Sequence, residues 1–254
     1  MKGIIKKSHL NSLIIILGIF FVIGLWFLLS WVGDSYLIPN PLKTFSRVII
    51  LLSEPQTYVH LYETLKRLTL ALLISFAFGS FFGVFGGLFH RFHLFFKPLI
   101  ITLRTLPTAS VILIFISLTR IMYAPIYVVF LITFPLSYEA MVAGITHIDE
   151  SVKSALKLEG EYSFKAITKV TIPLTLPYIF LGLVQSLGLG MKVVIMAEIL
   201  TGSRTVNGLG FALRLAYEDV NYLDIFAYSV LAVILIGLVE VLLNIVKKKV
   251  KKST

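Results

Sequence analysis

LTLALLISFAFGSFFGVFGGLF, residues 68–89, runs for 22 residues without a charge. A hydrocarbon core about 30 Å thick takes roughly 20 helical residues per crossing, so this stretch is long enough to span a bilayer. Five further windows meet the same requirement: 13–32, 98–118, 124–145, 174–200 and 225–246. The six windows together hold only five charged side chains, Arg104, Glu139, Lys192, Glu198 and Glu240, although the chain carries 23 basic and 13 acidic residues. The expected fold class is therefore an all-α polytopic membrane protein of six transmembrane helices, a single transmembrane domain over residues 1–254. Composition agrees, because only 14% of the 254 residues are charged where a soluble domain carries about 25%. This partition excludes a disordered chain, a soluble enzyme and a nucleic-acid binder, since the basic residues flank apolar spans instead of forming a polar face. Period-two alternation is absent too, which disfavours an outer-membrane barrel.

Within the opening stretch, Gly79, Gly83 and Gly87 recur at steps of four, with Gly86 beside them. Such a row lets another helix approach closely and gain van der Waals contact where lipid is as apolar as leucine. The second span is expected to be a buried packing helix.

Orientation follows from Lys and Arg, which are retained on the cytoplasmic side of short loops. With the N-terminus inside, inner segments hold fourteen basic residues, from Lys2, Lys6 and Lys7 to Lys247–Lys252, and outer ones seven, including Lys43, Arg47, Lys66 and Arg67. Both termini are expected in the cytoplasm. The first apolar run exceeds a signal peptide's 7 to 15 residues and no small-x-small site follows it, so it is expected to stay as a helix. With no Cys in the chain, redox compartment cannot be read.

The outer segment 33–67 contains a stretch, 42–52, that puts Phe45, Val48, Ile49 and Leu52 on one side, with Lys43, Ser46 and Arg47 elsewhere. It reads as a helix lying on the interface or as a plain connector. The inner stretch 146–173 is different in kind, with eight charges in 28 residues. Asp149 or Ser151 can cap a first helix whose Ile148, Val152, Ala155 and Glu159 share a face, with Gly160 at its left-handed stop. Ser163 can cap a second, in which Phe164, Ile167 and Val170 line one side and Pro173 ends the run. Two short amphipathic helices result, packed on the chain's own spans or docking a partner.

At this loop the sequence resembles the permeases of ATP-binding-cassette importers, whose cytoplasmic signature reads E-A-A, three residues, G, nine residues, I-x-L-P. The corresponding string is Ser154-Ala155-Leu156, Gly160, then Val170-Thr171-Ile172-Pro173, with both gaps kept and with Ser154, Leu156 and Ile172 replacing Glu, Ala and Leu. The nitrate, sulfonate and taurine branch is further matched by Leu37-Ile38-Pro39-Asn40-Pro41, Leu103-Arg104-Thr105-Leu106-Pro107, and Lys192 to Glu198 followed by Gly208-Leu209-Gly210. Its usual W-F-G-x-G is replaced by residues 118–122, Leu-Thr-Arg-Ile-Met. The resemblance implies the type I importer permease fold, a multi-pass protein of a bacterial or archaeal plasma membrane and a homodimer forming the pore. It also implies ABC ATPase subunits below and an extracytoplasmic solute-binding protein above. ATPase coupling would then fall to Asp149, Val152, Ser154, Ala155, Leu156, Lys157, Gly160, Phe164 and Pro173. There is no G-x-x-x-x-G-K-[ST] phosphate loop, so the chain is expected to have no catalytic site of its own, and ATP and Mg to be bound by the partner ATPase.

Ionisable groups inside spans are functional suspects by default. Arg104 lies near enough to the inner interface for its head group to reach water. Lys192 is deeper, unless the helix is tilted or broken near Gly188 and Gly190; it is the better pathway candidate of these residues, although the reading preferred for it is an ion pair or carbonyl contact that holds the pore together. Glu139 can face the cytoplasmic mouth, where a loop Lys or substrate could meet it. Glu198 and Glu240 sit within two turns of span ends and are expected at the interface. Pro107 and Pro135 are expected kinks. An intramembrane enzyme finds no H-E-x-x-H or G-x-S-x-G here, and His90 with His93 reads as surface rather than a metal site. An ion-gradient-driven secondary transporter would show paired inverted halves, and no such repetition is visible.

Overall fold

The computed structural model describes residues 2–159, 163–203 and 206–253, and among them there is helix but no strand. Five helices are long and apolar enough to cross a membrane, or six if one bent pair counts as a span. The chain divides into two compact units, Met1–Tyr58 with Ala212–Ala232, and Val59–Phe211 with Val233–Thr254.

The first unit contains α1 (Lys2–Val32) and α2 (Pro41–Ser53), with the end of α10 (Leu209–Glu218) and the start of α11 (Tyr222–Ser253). The Asn40 side chain accepts from the Leu42 N–H at 2.9 Å, and Pro41 occupies the first turn, where its missing N–H costs nothing. The amphipathic helix is there: α2 leaves Phe45, Ile49 and Leu52 exposed on one side, while Val48, grouped with them in the sequence, is buried with Pro41, Thr44 and Leu51. Val48 and Leu51 pack on Ala227 and Leu231, and Arg47 reaches Asp224, its Nη2 at 3.0 Å from Oδ2. The Trp26 ring stacks on Phe226 at 5.8 Å and its indole N–H donates to the Pro39 carbonyl.

In the second unit, α3 (Pro55–Leu88) passes its glycine row along α6 (Ala124–Thr146). A Cβ at Gly79 would stand 2.5 Å from that of Ser137, one at Gly83 2.6 Å from that of Met141, and one at Gly87 2.7 Å from that of Ile145. The packing helix is therefore the one expected. Lys66 and Arg67, read from the sequence as loop residues, lie inside α3.

The third window does not form one kinked span. Helices α4 (His90–Thr105) and α5 (Thr108–Leu118) meet at 95°. Leu106 and Pro107 are both extended, with ψ of 130° and 118°. A residue before proline is driven out of the α region, and here two extended residues in succession turn a kink into a corner. Pro135, by contrast, sits inside an uninterrupted α6.

Helix α6 runs antiparallel to α9 (Ile172–Thr201), with Gly144 against Thr175 at one end, Gly182 against Ala140, and Gly190 near Val129 and Thr133 at the other. Leu68, Val111, Ile112, Val128, Met191 and Val194 form the core around this pair. Helix α9 continues without a break through Gly188 and Gly190.

Pro173 does not end a helix. Helices α7 (Glu150–Glu159) and α8 (Phe164–Ala166) precede a π-helical turn, Ile167–Thr171, that leads directly into α9 with Pro173 in its first turn. Proline clashes with the carbonyl four residues back, and the wider π turn just before it relieves that contact while keeping the helix continuous.

Candidate coupling surface and intramembrane charges

Helix α7 is seated by Leu156 and Lys153. Leu156 is 9% exposed and lines a cleft of about 200 Å³ with Gly87, Ile145, Ile148 and Thr171. Lys153 extends from α7 to the Thr146 carbonyl at 3.0 Å and to Glu150, tying α7 to the end of α6. Of the residues expected to couple to an ATPase, Leu156 thus faces inward and holds the helix. Ser154 and Ala155 are exposed, Val152 is half-buried, and Asp149 is exposed with its carbonyl accepting from the Lys153 N–H. Lys157 lies within α7, and Gly160 lies outside the described residues. Beyond it, the Ser163 hydroxyl accepts from the Ala166 N–H at 3.1 Å, the expected cap, and leaves Phe164 82% exposed. A side chain this apolar and uncovered on a polar loop is suited to a partner's pocket.

The intramembrane charges pair differently from the sequence reading. Arg104 and Glu139 meet each other, Arg104 Nη1 lying 2.7 Å from both Glu139 oxygens, so neither a loop lysine nor the interface alone explains them. Both remain partly exposed. Their partnership across 35 residues depends on the α4–α5 corner, which stops α4 beside α6.

Glu198 corrects the sequence reading most. It is fully buried, not interfacial. Arg67 Nη1 donates to its Oε1 at 2.7 Å, the Thr64 hydroxyl donates to Oε2 at 2.9 Å, and the Gly210 N–H donates to Oε2 at 3.0 Å. Thr64 also accepts from the Leu209 N–H, and Arg67 also donates to the Asn207 carbonyl. His60 Nδ1 accepts from the Gly208 N–H at 3.2 Å, which places the ring proton on Nε2. Glycine is required twice here, because a Cβ at Gly208 would overlap the Glu198 carboxylate and one at Gly210 would overlap the Ile195 carbonyl. Residues 207–210 are thereby fastened to α3. The hub explains why Glu198 and Gly208-Leu209-Gly210 go together in the sequence; its other half, His60, Thr64 and Arg67, went unnoticed because it lies more than 130 residues away.

Among the described residues Lys192 takes neither an ion pair nor a carbonyl contact. It is exposed on α9 with no hydrogen-bond or ion-pair partner among the described residues, and Glu240 is also exposed. His93 Nδ1 meets the Tyr138 hydroxyl at 3.1 Å, and no cluster of metal-ligating side chains occurs among the described residues.

A bundle of apolar helices long enough to cross a membrane, with a charged loop between two of its spans, has the architecture of a polytopic membrane protein. A model of the binding-protein-dependent transport system inner membrane component family matches residues 75–254, and the chain belongs to that family. It is a permease of the ABC importer kind. The nitrate import permease protein NrtB of Leptolyngbya laminosa is 25% identical, over 96% of this chain and 88% of its own. The bicarbonate transport system permease protein CmpB of Synechococcus elongatus is 29% identical, over 89% of this chain and 84% of its own. Among solved structures, a bacterial alginate ABC transporter in complex with an alginate-bound periplasmic protein gives a TM-score of 0.67 at 16% identity, over 99% of this chain and 98% of that one, which bears on the fold.

Proposed function

We propose that two copies of this chain form the pore of an importer in a bacterial or archaeal plasma membrane, with both termini and the 146–173 loop in the cytoplasm. Two separate ATPase subunits dock on that loop, and an extracytoplasmic solute-binding protein delivers substrate from the other side. ATP and Mg belong to the ATPases, and this chain carries no catalytic site. The observation that supports the docking surface most is the split within the loop: Leu156 is buried as the anchor, while Ser154, Ala155 and Phe164 are left for a partner.

Mechanics follow from the packing. Helix α7 hangs between the end of α6 and the π turn that begins α9, and these two spans are pressed together at Gly144–Thr175 and Gly182–Ala140. Closure of the ATPases would pull on α7 and move α6 and α9 as one body. Relatives bear the names of nitrate and bicarbonate permeases, and a small oxyanion is the substrate class assigned here.

The test is co-purification. Ala155→Asp and Phe164→Asp should each abolish recovery of the ATPase from cells that express the whole importer, with the permease still inserted and monodisperse. Unchanged recovery would remove this surface assignment.

A further inference from the structure

The two faces of α9 differ sharply. One carries Leu187, Gly190, Met191, Val194, Ala197 and Glu198 into the core. The other leaves Leu181, Gln185, Leu189, Lys192 and Met196 exposed at helical spacing. Between Gln185 and Lys192 a Cβ at Gly188 would meet no atom within 4 Å, so among the described residues nothing covers that side. Lys192 is nine residues from the end of the helix at Thr201, about 14 Å by helical rise and beyond the reach of a lysine side chain. A lysine and a glutamine two turns apart at this depth need water, not lipid.

The charge on this face is not neutralised by the nearby acids. Glu139 is held by Arg104, and Glu198 is turned to the opposite side of α9 by Arg67. Among the described residues Lys192 thus has no ion-pair partner, and it and Gln185 are the polar members of an uncovered, otherwise apolar stripe.

We propose that this α9 stripe lines the translocation pathway between two copies of the chain, with Lys192 and Gln185 forming a station that selects small oxyanions. The proposal rests on the importer reading above and goes further by naming the lining face and its selecting residues. Gln185 donates hydrogen bonds to the passing anion, and Lys192 raises its local concentration without holding it in a closed cage. In a low-dielectric passage such a charge enriches anions by about tenfold or more.

The chain has no cysteine, so a single reporter can be placed at will. In the assembled importer in nanodiscs, with its ATPase bound, Gln185→Cys is treated with an anionic sulfonatoethyl thiosulfonate and with its cationic trimethylammonium counterpart. Both reagents should modify it. The ratio of anionic to cationic rate should fall about tenfold in Lys192→Met and be kept in Lys192→Arg. Met196→Cys, one turn beyond Lys192 on the same face, serves as a second reporter should the first variant assemble poorly. A thiol untouched by both reagents while the ATPase still co-purifies overturns the lining face alone, leaving the importer reading in place. A rate ratio indifferent to Lys192→Met overturns the selection role.

Discussion

The Arg67 guanidinium meets the Glu198 carboxylate at 2.7 Å, with 5% of one side chain and none of the other exposed. A carboxylate so placed is tolerable because it also accepts from Thr64 and from the Gly210 N–H. Removing one partner of a buried pair strands the other, at a cost of about 3–5 kcal/mol. Arg67→Met should therefore lower the melting temperature and folded yield sharply in detergent. Adding Glu198→Gln should restore much of the loss, since a neutral amide keeps an acceptor for Gly210. If the double variant is no better than the single one, the hub is not electrostatic.

The glycine row supplies an internal control. Gly83→Leu must force α3 off α6, because its Cβ alone would lie 2.6 Å from that of Met141, whereas Gly237 has no atom within 4 Å of the corresponding position. Overpacking of this kind costs about 1–3 kcal/mol or more. Gly83→Leu should broaden or abolish the monodisperse peak on size exclusion, and Gly237→Leu should leave it unchanged. Equal tolerance would deny the close α3–α6 approach.

Val220 adopts φ of 56°, between α10 and α11, where only glycine is unstrained. A β-branched residue in the left-handed region costs about 1–2 kcal/mol, partly offset in Val220→Gly by the greater entropy of the unfolded chain. The exchange should raise the melting temperature by a few degrees. A fall would show that the Val220 side chain contributes more than its backbone strain removes.

Arg104 and Glu139 are partly exposed, so their pairing adds little stability, about 1 kcal/mol at most. Its expected role is to hold α4 against α6 at the corner. Arg104→Glu should impair substrate uptake in cells more than it lowers protein level, and Arg104→Glu with Glu139→Arg should recover uptake. Failure of the swap to recover it would mean that one of the two acts alone.

Much of this was legible in the sequence, and the gaps have physical causes. Uncharged runs declare spans because a bilayer penalises every buried charge, and a glycine row at steps of four favours close packing over mere tolerance of glycine in a membrane helix. Ser163 announced its own cap. Pro173 misled, since proline is accepted in the first turn of a helix as well as after its last, and here it stands at the start of α9, just past the π turn Ile167–Thr171. Pro107 signalled a bend but not its 95° extent, because the angle needs Leu106 to be extended as well. The helical face of α7 could not be read either: Ala155 and Leu156 are both apolar, and which one points inward depends on the cleft beside Ile145 and Thr171. Glu198 looked interfacial because distance from a helix end is local, while its partner Arg67 is not.

Everything about coupling depends on the 146–173 loop meeting an ATPase inside the cell. A single Ser154→Cys in this cysteine-free chain tests that directly, by bifunctional cross-linking in intact cells and by labelling with a membrane-impermeant maleimide. The thiol should resist the maleimide in intact cells, react in inside-out vesicles, and cross-link to the ATPase subunit. Labelling from outside intact cells, with no ATPase adduct, would contradict the account.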